Sequence, residues 1–131
     1  MITEKTERLL VHTHKASTPL DMRLCLPTLK GFTILKLEEI VYCEAQRSYT
    51  FFRLSSNKSI LISKPLFDYE RLLTGSIFFR VHKSFLINLL HVKEYTRGEG
   101  GTVIMSNGIE IEVSRRRKEM FMAKVKESFK Y

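Results

Sequence analysis

The sequence predicts a mainly β chain, an antiparallel meander of short strands with one short internal helix and a C-terminal helix. Three observations carry this. Between Phe32 and Val113, short runs of β-branched and aromatic residues alternate with turn residues. The spacing turns helical at Leu66–Leu73, and again over Arg115–Phe129.

Each element has a local reason. Residues 1–20 lack clean periodicity, end at Thr18-Pro19, and read as a tail or linker. One domain with a single core is expected over residues 21–131. Strand-like texture begins at Asp21, and the first defined runs are Phe32–Leu37 and Ile40–Ala45. Tyr49–Leu54 and Ser59–Ile62 flank Ser55-Ser56-Asn57-Lys58, a hairpin turn. Leu66, Tyr69 and Leu73 then share one helical face, with Pro65 suited to the start and Gly75 to the stop. Phe78–Val81, Phe85–Ile87 and Val92–Tyr95 resume the strands, and Gly98–Gly101 reverses the chain. Thr102–Met105 and Ile109–Val113 are joined through Ser106-Asn107-Gly108, where Asn-Gly accepts the positive φ angles of a tight hairpin. In the closing helix Phe121, Val125 and Phe129 lie four apart, one stripe for docking onto a sheet, with Ser114 as N-cap.

Several function classes are excluded or weakened. No apolar run approaches the roughly 18–20 residues of a membrane helix, and the polar N-terminus is no secretory signal, so a cytoplasmic address is expected. Cys25 and Cys43 suit neither a disulfide framework nor a zinc site, and Cys43 reads as a small buried hydrophobe. His12-Thr13-His14 could hold a metal on one strand face but falls in the tail, so no metal or other cofactor is expected. The glycines of Gly98-Glu99-Gly100-Gly101 follow no parallel strand and open no helix, unlike a phosphate-binding fingerprint. Glu38 and Glu39 are ordinary surface acids, and no triad order is present; the chain reads as a non-enzyme.

Charge gives the positive clue. The formal net charge is +8, and it runs +1, +2 and +5 over residues 1–29, 30–79 and 80–131. A basic surplus at one end fits a polyanion (DNA, RNA or an anionic membrane), and equally a solubilising surface. Arg115-Arg116-Arg117-Lys118 is more telling. It sets four cations in the first turn of the closing helix, where each opposes the helix dipole by ~0.3–1 kcal/mol when exposed. A phosphate at that terminus reverses the sign, because free N–H groups and guanidinium forks both want anions. Arg80-Val81-His82-Lys83-Ser84 and Gln46-Arg47-Ser48-Tyr49 are two further polar clusters between apolar runs. Alternation would set Arg80, His82 and Ser84 together, with Lys83 opposite unless the chain turns there; His82 alone would read as a structural histidine.

Taken in order, four stretches resemble the LytTR DNA-binding domain of bacterial response regulators. They are Ile40–Gln46, Ser63–Leu66, Phe79–Asn88, and Met105–Gly108 continuing through Val113–Arg116, and the likeness covers about residues 22–122. The resemblance implies an elongated fold of small antiparallel sheets. It implies a transcriptional regulator that reads major-groove bases of double-stranded DNA through loops, at repeated half-sites, with two copies pairing on DNA. Carried onto this chain, the base-reading residues are Gln46, Arg47, Ser48, Lys83 and Arg116. Backbone contacts fall to Ser84 and Arg117, with Arg115 and Lys118 as helpers, and His82 supports its loop or touches the backbone. Arg116 suits a bidentate pair with guanine O6 and N7. Family members usually follow a receiver domain governed by a sensor kinase. None fits in residues 1–21, so the chain is a stand-alone regulator or the C-terminal piece of a longer one. Pro65 replaces the residue expected there, a benign change at a helix start. The alternative is a non-enzymatic module that offers the same basic face to a protein, RNA or an anionic membrane.

Overall fold

The computed structural model describes residues 22–131. The 1–20 tail and the His12-Thr13-His14 pair lie outside the described residues. The chain divides into two compact units, the first ending at Leu37 and the second beginning at Glu38.

In the first unit, β1 (Arg23–Thr28) pairs antiparallel with β2 (Gly31–Lys36), Cys25 opposite Ile34. Leu24, Leu26 and Leu35 are buried while Cys25, Phe32 and Ile34 are exposed, the period-two signature of a hairpin with one covered face. The Pro27 that obscures β1 in the sequence is tolerated because this pair has only edge strands.

The second unit holds two sheets. Five strands run in the spatial order β5-β4-β3-β7-β6: β3 (Ile40–Gln46), β4 (Tyr49–Leu54), β5 (Ser59–Ile62), β6 (Phe78–His82) and β7 (Phe85–Asn88). β8 (Val92–Thr96), β9 (Thr102–Met105) and β10 (Glu110–Glu112) form a separate three-stranded meander. The larger sheet corrects the expected simple meander. Helix α1 (Leu66–Leu72) carries the chain from the β5 edge to the opposite edge, so that β7 returns to pair with β3. Local alternation identifies hairpin partners, but it holds no information about this long-range pair.

Burial explains the sequence of β3. Ile40, Val41, Tyr42 and Cys43 are all buried, so the strand is a continuous apolar run instead of an alternating one. Burial also pushes the Cys43 thiol far above its ordinary pKa, which makes it a packing group and not a nucleophile. Helix α1 packs over β3, β6 and β7 with Leu66, Tyr69 and Leu73 buried; Tyr69 meets Phe52 edge-on at 4.9 Å. A second cluster joins Val41, Val81 and Ile87 to Val103, Ile111 and Phe121.

The C-terminal helix α2 (Lys118–Ser128) departs from expectation in two ways. Phe121 is fully buried and Val125 packs beside it, but Phe129 lies beyond the helix in extended backbone and is 42% exposed. The docking stripe is therefore Phe121 with Val125, joined by Met122. Arg115–Arg117 form a separate 3-10 turn ahead of the helix, entered from Ser114. Ser114 caps nothing with its side chain: its buried Oγ has no hydrogen-bond partner, and its carbonyl instead accepts from the Arg117 N–H at 3.0 Å. Three of the four cations thus precede the helix, and only Lys118 belongs to it.

Asn88 closes the β3–β7 seam. Fully buried, it donates from Nδ2 to the Ile40 carbonyl at 2.8 Å and accepts at Oδ1 from the Leu90 N–H at 2.9 Å. Replacing it by alanine strands both backbone groups. Asn88→Ala is expected to cost ~1–3 kcal/mol in urea unfolding; an unchanged midpoint would refute the role.

Candidate nucleic-acid interface

Three turns meet along one end of the larger sheet. The first joins β3 to β4, where Gln46 pairs with Tyr49 across Arg47 and Ser48. Gln46, Arg47 and Ser48 are all exposed. Arg47 adopts φ 59°, a left-handed conformation that costs a residue with a β-carbon roughly 1–2 kcal/mol. Glycine or asparagine would relax this turn, whereas here an exposed arginine occupies it. Three residues upstream of Arg47 lies Glu44, half-buried. Desolvation raises its carboxyl above the usual range, and the Arg53 charge opposes that shift.

The second turn joins β6 to β7 and stands beside the first, because the Ser84 carbonyl accepts from the Ala45 N–H at 2.8 Å. The chain does turn at Lys83, whose side chain is exposed. His82 braces this turn from inside. Its Nδ1 accepts from the Ser84 N–H at 3.0 Å, its ring lies 6.0 Å from that of Phe85, and Nε2 is 4.0 Å from Glu112 Oε1. Ser84 remains half-buried at the turn's exit.

The third segment is the Arg115–Arg117 turn with Lys118. It is tied to β6 by the Ser114 N–H, which donates to the Val81 carbonyl at 2.9 Å, and by Arg117 Nη1, which reaches the Arg80 carbonyl at 3.5 Å. Arg116 is exposed, while Arg117 and Lys118 are half-buried. Arg115 stands 3.9 Å from Glu99, an exposed pair of little energetic weight. Burial and the neighbouring Arg80 charge both press the Arg117 pKa down, Glu70 opposes them, and Arg116 presses further. Positive charge is thus held here against its own repulsion.

All ten residues singled out from the sequence lie on these three segments. Among the described residues no group of acids, histidines and cysteines could hold a metal, and no helix is long and apolar enough to cross a membrane. Two supporting roles were not legible in the sequence. Arg80, which alternation sets beside His82 and Ser84, turns inward onto the second turn and onto Glu70 of α1, a partner ten residues upstream that only the folded chain brings to it. Gly100 underlies the third segment. A β-carbon there would lie 1.8 Å from the Val113 carbonyl oxygen, and Tyr95 Oη donates to the Gly100 carbonyl at 2.7 Å.

A β-rich domain that gathers basic turns at one end of an antiparallel sheet offers a surface suited to an anionic partner. The model of the LytTr DNA-binding domain matches residues 30–126, and the chain belongs to that family, a DNA-binding family of bacterial transcription regulators. It is 30% identical over 94 residues to the transcriptional regulatory protein LytR of Staphylococcus aureus (strain N315), covering 70% of this chain and 38% of that protein. It is 29% identical over 114 residues to the sensory transduction protein LytT of Bacillus subtilis (strain 168), covering 86% of this chain and 47% of that one. The chain therefore spans less than half the length of these relatives. A solved LytTr DNA-binding domain from Bacillus cereus superposes with a TM-score of 0.65 at 24% identity, over 82% of this chain and 98% of its own, which shows the shared fold.

Gly100→Ala is expected to drive Val113 and the arginine turn outward. Overpacking against backbone should lower stability by at least ~1–3 kcal/mol in thermal melts and weaken DNA binding alongside. Normal stability and binding would show that the third segment does not depend on this close approach.

Proposed function

We propose that this domain, residues 21–131 behind a 1–20 linker, recognises a specific double-stranded DNA sequence through the three turns and serves a non-enzymatic transcription regulator in the cytoplasm. One observation carries the reading: Arg47, Lys83 and Arg116 project from neighbouring turns whose supports, His82, Ser84 and Arg117, are partly buried and hydrogen-bonded. Exposed, flexible tips on a fixed frame suit the reading of base edges, whereas a merely solubilising surface needs no frame.

In this reading Arg116 takes guanine O6 and N7 in the major groove, and Lys83 reaches acceptors on the same edge. Gln46, Arg47 and Ser48 read the adjoining base pairs. Ser84, Arg115, Arg117 and Lys118 bind phosphates and set register. His82 holds the middle turn, with the backbone within its reach. Two copies occupy repeated half-sites, each presenting the same loops. The names of the relatives, a transcriptional regulator and a sensory transduction protein, support a place downstream of a receiver domain or sensor kinase.

Selection of bound duplexes from a random library at about 150 mM salt tests this, since phosphate-only binding is weak there. A repeated motif is expected; a featureless pool would assign the basic face to another partner. On the selected duplex, Arg116→Ala should lose ~1–3 kcal/mol of discrimination at one base pair while the thermal melt stays unchanged. Arg117→Ala should weaken all duplexes alike and reduce the log–log salt slope by about 1. Unaltered base preference in Arg116→Ala would overturn that assignment.

A further inference from the structure

Arg80 differs from the other cations of the interface in facing inward, its side chain only 14% exposed. Nε donates to the His82 carbonyl at 2.9 Å, Nη2 donates to the Lys83 carbonyl, and Nη1 donates to Glu70 Oε1 at 2.6 Å. Its own carbonyl accepts from Arg117 Nη1 at 3.5 Å. The guanidinium therefore ties the Lys83 turn to α1, while the backbone of the same residue ties in the arginine turn. The β6–β7 register shifts between Arg80 and His82, so regular strand pairing does not hold this stretch. The planar fork replaces the missing ladder, bridging two successive carbonyls with one set of donors and a carboxylate with another.

Resting on the proposed DNA-reading function, we infer that Arg80 is a positioning residue for sequence discrimination and that Glu70 is its anchor. It touches no base in this scheme. Its guanidinium holds the Lys83 backbone in place before DNA arrives, so less ordering is left to binding. Lysine keeps the charge but has a single nitrogen, and cannot bridge both carbonyls and Glu70 in one plane. Glu70 aims the fork and also offsets a charge that stands beside Arg117. A purely stabilising ion pair would need no such link to a binding turn, and half-buried pairs are weak stabilisers.

The test compares the wild type with Arg80→Lys and Glu70→Gln on the selected duplex and on a scrambled one, at equal salt. Amide hydrogen exchange of Ala45 and Ser84 is followed in the free domain. The affinity ratio between duplexes should fall about tenfold in Arg80→Lys, and less in Glu70→Gln, with affinity for the scrambled duplex not reduced. Exchange at both amides should accelerate in both variants. Should Arg80→Lys not fold, Glu70→Gln carries the same comparison. Equal loss on both duplexes, or slow exchange with full discrimination, overturns the inference. A wild-type domain without any preference overturns the DNA reading and the inference with it, whereas a selective wild type beside an equally selective variant overturns the inference alone.

Discussion

The pairing of β3 with β7 is the constraint on which the rest of the second unit depends. It gives β3 a hydrogen-bonded neighbour on each edge, and burial of Ile40 through Cys43 leaves the first four residues of the strand no wet face. Asn88 locks the seam from within, spending its amide on the Ile40 carbonyl. Two of the three interface turns grow from the ends of these paired strands, and the third is bonded to β6, their neighbour. A turn rooted in a strand that cannot move holds exposed cations in place without any packing of its own.

That rigidity offsets what the interface costs. Arg47 sits in a left-handed conformation, and Arg117 is half-buried beside two other guanidinium groups with one carboxylate to balance them. Neither feature helps the free domain. In the proposed reading an arriving phosphate offsets the repulsion at Arg117, and the Arg47 guanidinium supplies donors to the partner. Crowded positive charge at this end of the sheet is part of what the proposed DNA reading rests on.

Much of this was readable in the residues. Turn residues between strand-like runs found the hairpins of β4 with β5 and of β9 with β10, and helical spacing found α1 from Leu66, Tyr69 and Leu73. Both are near-neighbour patterns, which a linear sequence records directly. Cys43 read as a packing residue and is buried. Where the reading missed, the deciding contact was distant or competing. Phe129 kept the four-residue spacing but fell past the end of α2, and Ser114 had a capping residue's identity but its hydroxyl was buried without a partner.

The sequence by itself determined the mainly β character, the turn positions, the excess of cations near the C-terminus and the four stretches that place the chain in its family. These follow from composition and short-range spacing, which survive without knowledge of the fold. Only the tertiary structure decided that β6 and β7 lie beyond β3, that three turns distant in the chain become neighbours, and that Arg80 faces inward to Glu70 while Arg116 faces out. Two arginines have the same chemistry on paper. Which one is exposed and which one is spent inside depends on what the folded backbone sets against each.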